Sequence, residues 1–168
     1  HYTRTTGIWQ TVWLEAVDPC GLKDCFIVPD LDGSRFILTP AFYAVAAGNR
    51  FRATALDGGK AVATAEVTAA DGVSVALALD APKTWAPGSP FLYGLVLEVL
   101  DAAGKVRDTV HSYAGLRKIH IEGDRVMLNN KPVYLRLVLD QGFYPDGIWT
   151  APTDAALKRD IELSMAAG

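Results

Sequence analysis

The chain has 168 residues, half of them apolar and 21% charged, and a net charge of −3 at neutral pH. That length holds one sizeable core plus extra pieces, and the mildly acidic balance offers neither the basic footprint of a nucleic-acid binder nor the cationic face of a membrane-surface protein. Apolar runs such as Leu95-Val96-Leu97 are cut by Glu98 and Asp101, far short of the roughly 20 residues of a membrane span, so no nucleic-acid or membrane partner is expected.

At the N-terminus, His1-Tyr2-Thr3-Arg4-Thr5-Thr6 carries no apolar segment of a signal peptide; localisation stays open, with the cytoplasm slightly favoured. Residues 11–17, Thr-Val-Trp-Leu-Glu-Ala-Val, are rich in β-formers and read as a strand. Cys20 and Cys25 are too few for a disulfide framework, and without further Cys or a nearby His they do not form a zinc site. They read as two reduced thiols, the alternative being a local bridge across residues 19–24 with Cα atoms within about 7 Å. No cofactor and no metal is expected.

Short β-rich runs follow at 25–29, 34–39 and 49–56 with turn residues between them. Asp57-Gly58-Gly59 then separates residues 50–56 from 60–68, where Val62, Thr64, Glu66 and Thr68 alternate with small apolar residues, so the two runs form a hairpin. In 73–79 the odd positions are apolar and the even ones small, which predicts one buried face. Beyond the proline-rich loop 81–90, runs 91–100 and 105–113 flank Asp101-Ala102-Ala103-Gly104, a second hairpin with glycine at the position fit for positive φ. About seven such strands, spaced about ten residues apart, predict an all-β fold, an immunoglobulin-like antiparallel β-sandwich over 19–118. There is no Cys-Trp-Cys pattern of the antibody type, and a lipocalin-like barrel has longer, evenly repeated strands without a proline loop.

The tail has a different pattern. Residues 117–122 and 125–128 flank Gly123-Asp124, and Asn129-Asn130-Lys131-Pro132 turns into the unbroken run 133–139, Val-Tyr-Leu-Arg-Leu-Val-Leu. Such a run suits a strand buried on both faces, as in a parallel barrel. After the loop 140–152, Thr153 caps a helix with Asp154 in its first turn, an Asp154–Lys158 pair and an apolar stripe of Leu157, Ile161 and Met165. A strand, a loop and a helix are the beginning of a βαβ unit.

Three phrases, in order, resemble glycoside hydrolase family 2. They are Gly7-Ile8-Trp9 within residues 2–15, Ser89-Pro90-Phe91-Leu92-Tyr93, and Leu128-Asn129-Asn130-Lys131-Pro132. Departures from the family pattern are Asn130 and Leu137, where glycine is usual, and Asp140-Gln141-Gly142 in place of an Asn-Arg-His-Glu type of segment. The resemblance implies a division into 1–18, the last strand segment of an N-terminal sugar-binding jelly roll; 19–118, the immunoglobulin-like sandwich; and 119–168, a hairpin plus the first strand and helix of a (β/α)8 catalytic barrel. On this view the chain is a middle piece of a β-galactosidase-like enzyme that hydrolyses β-glycosides with retention, using two carboxyl groups about 5 Å apart.

In the family those groups are glutamates late in the barrel. Glu15, Glu66, Glu98, Glu122 and Glu162 match no catalytic motif and read as solvated surface charges, so no catalytic residue is expected and the chain alone should be inactive. Active sites of such barrels lie at the C-terminal ends of the strands, which makes Asp140, Gln141, Tyr144, Asp146 and Trp149 the candidate contacts to a carbohydrate substrate. The plainer reading is that Asp140 pairs with Arg136 while Tyr144 and Trp149 pack beneath the loop. Trp9, Trp13 and Trp85 read as core or domain contacts, and His111 and His120 as isolated strand residues without a metal role. In the competing view the chain is a stand-alone carbohydrate-binding or protein-interaction sandwich. The tail speaks against that view, since its uncovered apolar faces are expected to cause self-association or to lack fixed structure.

Overall fold

The computed structural model describes Arg4, residues 6–8 and residues 10–168. Trp9 and its expected contact lie outside these residues, as do His1, Tyr2, Thr3 and Thr5. Two compact units form: Ala16–Leu135, and the described parts of His1–Glu15 together with Arg136–Gly168. The strands in chain order are β1 (Leu22–Asp30), β2 (Arg35–Phe42), β3 (Arg50–Asp57), β4 (Lys60–Thr68), β5 (Val75–Ala78), β6 (Trp85–Ala86), β7 (Ser89–Pro90), β8 (Tyr93–Leu100), β9 (Val106–Ala114), β10 (Ile119–Glu122), β11 (Arg125–Leu128) and β12 (Lys131–Pro132), followed by helix α1 (Asp154–Ala167).

Seven of these strands build the sandwich in Ala16–Leu135. One sheet has the order β1-β2-β5 and the other β4-β3-β8-β9, with every pairing antiparallel. The expected hairpins are present: Gly58 and Gly59 both take positive φ (57° and 86°) between β3 and β4, a backbone that suits the twist of a two-residue turn. Period-two alternation then selects the inward face. Tyr93, Leu95, Leu97 and Val99 of β8 and Phe51, Ala53 and Ala55 of β3 are buried against Phe36, Leu38 and Phe42 of β2 and Val75 and Leu77 of β5. Phe36 meets Tyr93 edge-on at 5.7 Å, and Phe42 meets Phe51 edge-on at 6.2 Å. The Tyr93 hydroxyl, on a residue only 2% exposed, accepts the Lys83 amide at 2.7 Å, so the burial leaves it satisfied. Within the proline-rich connection, β6 and β7 pair into a small ladder where the sequence pattern predicts only loop.

Polar ties close the sandwich at its ends. Asp108 of β9 accepts the Leu22 amide of β1 at 2.8 Å, joining the two sheets, and a Cβ on Gly21 would lie 2.7 Å from the same carboxylate. Asp18 accepts the Cys20 amide and the Arg107 guanidinium (3.0 Å), and its carboxyl is held below the usual carboxylate range by that amide first and by Arg107 after it. Glu66 and Glu98, read as solvated charges, pair with Arg50 and Arg52 across neighbouring strands at 2.7 and 2.8 Å. Arg52 stands directly opposite Glu98 and Arg50 diagonally across from Glu66, which explains the difference.

The meander β10-β11-β12 is fixed to the sandwich through two asparagines. Asn129 and Asn130 have φ of 51° and 63°, the left-handed conformation that Asn tolerates better than other side-chain-bearing residues. From there the Asn129 side chain accepts the Lys118 amide (3.0 Å) and donates to the Trp85 carbonyl (2.8 Å), while Asn130 donates to Asp32 (2.8 Å) and Lys118 forms an ion pair with the same carboxylate. Lys118 and then Asn130 hold the Asp32 carboxyl below its ordinary range. Trp85 is half-buried rather than in the core, its ring 5.0 Å from the Arg117 guanidinium.

Three expectations are corrected. Residues 11–17 are not a strand, and Trp13 is 72% exposed rather than in a core; strand backbone requires a hydrogen-bonded neighbour, and none pairs with this stretch among the described residues. Residues 133–139 make no strand pairing among the described residues, with Leu137 and Leu139 each 83% exposed, in keeping with the uncovered tail expected from the sequence. Both apolar faces of a parallel strand are covered only by neighbouring strands and helices. Helix α1 forms as read, with Thr153 accepting the Ala156 amide at 3.2 Å. Its stripe of Leu157, Ile161 and Met165 is exposed, in keeping with the uncovered apolar face expected of the tail, but Lys158 pairs with Glu162 (3.7 Å) rather than with Asp154.

The ties within Ala16–Leu135 can be tested singly. Asn129→Gly keeps the positive φ and removes only the side-chain bonds, so it should lower the unfolding free energy by about 1–3 kcal/mol in urea titration. The two cysteines are free, and burial followed by the Asp24 charge raises the Cys25 thiol from 9.0 to about 11. A raised acid binds its proton more tightly in the folded state, so stability should fall as pH climbs from 9 towards 11. Cys25→Ala should remove that portion of the alkaline loss in thermal melts across this range.

Candidate functional site

The candidate residues lie on the loop between residues 139 and 153, in the unit containing Arg136–Gly168. This loop is ordered chiefly by its own bonds. Asp140 Oδ1 accepts the Gly142 amide at 2.8 Å, a local turn that Asp favours, and Gly142 takes φ 54°. Tyr144 and Ile148 exchange two backbone hydrogen bonds of 2.9 Å each, closing the turn Pro145-Asp146-Gly147. Thr150 donates back to the Gly147 carbonyl at 3.0 Å, and a Cβ on Gly147 would fall 1.9 Å from the Thr150 oxygen, so only glycine fits. Phe143 and Trp149 stack edge-on at 6.1 Å across the turn.

These bonds decide how each candidate is presented. Asp140 turns to its own loop rather than to Arg136, and it lines a hollow of about 690 Å³ with Arg136, Asp160, Ser164 and apolar side chains of α1. Gln141 and Asp146 are exposed. Trp149 is 45% exposed and lines a second hollow of about 520 Å³ with Ile8 and Ile148. Tyr144 is half-buried, and its hydroxyl donates to Asp160 of α1 at 2.6 Å. That bond, with loss of hydration and the charges of Asp160 and Asp140, pushes its phenol up to about 12. Tyr144 therefore stays a neutral donor whose proton is already engaged, leaving a ligand its ring face and the acceptor side of its oxygen.

Asp160 is the residue that sequence reasoning missed. Its trace in the sequence is weak: Ala156, Asp160 and Ser164 follow one another at four-residue spacing, a polar-small line beside the apolar stripe, with the acid in its middle. His120 has a buried Nδ1 without a hydrogen-bond partner, and its Nε2 lies 3.9 Å from Glu122. Among the described residues no three His, Cys, Asp or Glu gather as a cation site. Two exposed carboxylates, an amide and two aromatic rings on one short loop can accept hydroxyl donors and cover the apolar side of a ring-shaped ligand.

The glycosyl hydrolases family 2 model matches residues 22–117. The β-galactosidase of Photobacterium profundum is 27% identical over 93% of this chain and 16% of its own length. The β-glucuronidase of Paenibacillus borealis is 26% identical over 77% of this chain and 21% of its own. The chain thus spans about a sixth to a fifth of the curated relatives it matches. The fold is shared with the solved β-glucuronidase from Ruminococcus gnavus in complex with D-glucuronic acid, with a TM-score of 0.71 at 24% identity over 84% of this chain and 23% of that one. Since the matched residues take in the sandwich from its first strand to its last, the chain belongs to glycosyl hydrolases family 2.

Proposed function

We propose that this chain is the non-catalytic sandwich and barrel-entry portion of a retaining, β-galactosidase-like glycosidase. The carrying observation is the family match across the whole sandwich, joined to β-galactosidase relatives that align with 93% of the chain yet extend far beyond it. The division at 1–18, 19–118 and 119–168 belongs to this reading. Residues 133–139 serve as the first barrel strand and α1 as the first barrel helix; their uncovered apolar side chains are what a barrel wall needs and what an isolated module lacks. The sandwich packs against that barrel and supports it. Hydrolysis then rests on two carboxyl groups elsewhere in the protein, one protonating the leaving oxygen and one attacking the anomeric carbon.

The loop's part is to bind. Asp140 and Gln141 stand at the end of the first barrel strand and take sugar hydroxyls, Asp146 adds a second carboxylate on the turn, and Trp149 with the Tyr144 ring lies against the pyranose. A stand-alone carbohydrate-binding or protein-interaction sandwich is the second reading, favoured by the self-contained core of Ala16–Leu135.

A reading frame extended past Gly168 should encode further βα repeats with the two glutamates, and its product should cleave aryl β-galactosides while the 168-residue chain does not. Activity in the 168-residue chain, or a product without those repeats, would sink the proposal. In the active product, Asp140→Ala should lower kcat/KM by roughly ten- to a hundredfold, the loss of a charge-assisted hydrogen bond to substrate. For the chain alone, sedimentation should show concentration-dependent association through the 133–139 and α1 faces, relieved by Leu137→Asp with Leu139→Asp; a monomer at every concentration, with an ordered tail, would count against it.

A further inference from the structure

We infer that Tyr144 and Asp160 form a latch that locks the 140–149 loop onto helix α1, making Asp160 a positioning residue for the loop's exposed groups. The two side chains come from positions 16 apart, one in the loop and one in the middle of the helix, and meet at 2.6 Å. The backbone ties of the loop are local. The Asp140–Gly142 turn, the Tyr144–Ile148 pair and the Thr150–Gly147 bond connect residues at most four apart, so they shape the loop without holding it to the helix.

The latch sits where it controls most. Tyr144 also contributes both its amide and its carbonyl to the pair with Ile148, so fixing its ring fixes one side of the turn that carries Asp146. On the other side, Ile148 holds φ at 57°, a costly backbone for a β-branched residue and one that persists only when its surroundings enforce it. Trp149 follows directly and takes its edge-on place against Phe143. A carboxylate acceptor makes this a charge-assisted bond, and the phenol beside it keeps its proton to donate. With its proton committed to Asp160, Tyr144 no longer donates to a sugar hydroxyl and instead places the groups that line the loop. The consequence for substrate rests on the reading proposed above; the latch itself rests on the chain's own contacts.

Amide hydrogen exchange on the 168-residue chain, by NMR and without any sugar, tests the latch. Tyr144→Phe and Asp160→Ala should each speed exchange at the backbone amides of positions 144 and 148 by about tenfold, and the double variant should add nothing further. Asp160→Asn, which keeps an acceptor oxygen, should retain most of the protection, and the 13Cζ resonance of Tyr144 should move in Asp160→Ala. The core amides of Leu97 and Val99 should stay protected throughout, reporting an intact sandwich. Unprotected amides at 144 and 148 in the unaltered chain, unchanged exchange in either single variant, additive effects in the double, or Asp160→Asn exchanging as fast as Asp160→Ala would each overturn the latch. None of these results bears on whether the loop meets a carbohydrate, which the Asp140→Ala kinetics decide separately.

Discussion

The sandwich depends on one contact layer, the edge-on packing of Phe36 on Tyr93 and of Phe42 on Phe51 between the two sheets. Large rings on β2 and β8 require small partners elsewhere, and β3 supplies them with Ala53 and Ala55 between Phe51 and the bulge near its end. A one-residue slip of any of these strands would turn its inward set to solvent, so the layer fixes the register of both sheets. The layer also reaches into the loops. The hydroxyl of Tyr93 holds the Lys83 amide, which places the proline-rich connection and, through it, Trp85.

Trp85 is where the sandwich takes hold of the β10-β11-β12 meander. The Asn129 side chain bridges the Trp85 carbonyl and the Lys118 amide, and Asn130 reaches Asp32 in the β1–β2 turn, so two left-handed asparagines tie the meander to two different loops of the sandwich. This gives the Leu-Asn-x-Lys-Pro phrase a physical account. Asn129 is needed for its backbone conformation and both ends of its amide at once. Asn130 stands where the family usually has glycine; it adopts the same positive φ and adds a bond that glycine lacks.

The sandwich was legible in the sequence because its signals are local and consistent. Alternation in 73–79 and 91–100 marks the buried faces, and Gly58-Gly59 and Gly104 mark the hairpins, which the structure places where the pattern does. The small β6–β7 ladder was not legible, since Trp85 and Pro90 pair only after Tyr93 and Leu116 have positioned the loop. Residues 11–17 misled for the opposite reason. Their composition is that of strands, but a strand is a relation between two segments, and composition names only one of them. In the candidate loop, residue types were legible and roles were not: the sequence offers Tyr144 as a sugar contact, and only the fold brings it to Asp160.

That difference separates two ways in which a segment becomes ordered. The apolar residues of 133–139 are largely exposed, and an apolar run of this kind takes a defined place only where something covers it. The loop after them is built with short-range bonds, a glycine that tolerates no side chain, and a longer tie from Tyr144 to a helix capped by its own Thr153. Such a loop is shaped independently of the strand that precedes it. On the reading proposed above, a loop with this property would offer its carboxylates and aromatic faces in fixed geometry, which would lower the ordering entropy that ligand binding must otherwise overcome. The latch lies between the two regimes, since it joins a self-shaped loop to a helix whose own apolar stripe is exposed. Burial of that stripe would bring Asp160, and through Tyr144 the whole turn, to its final position as one piece.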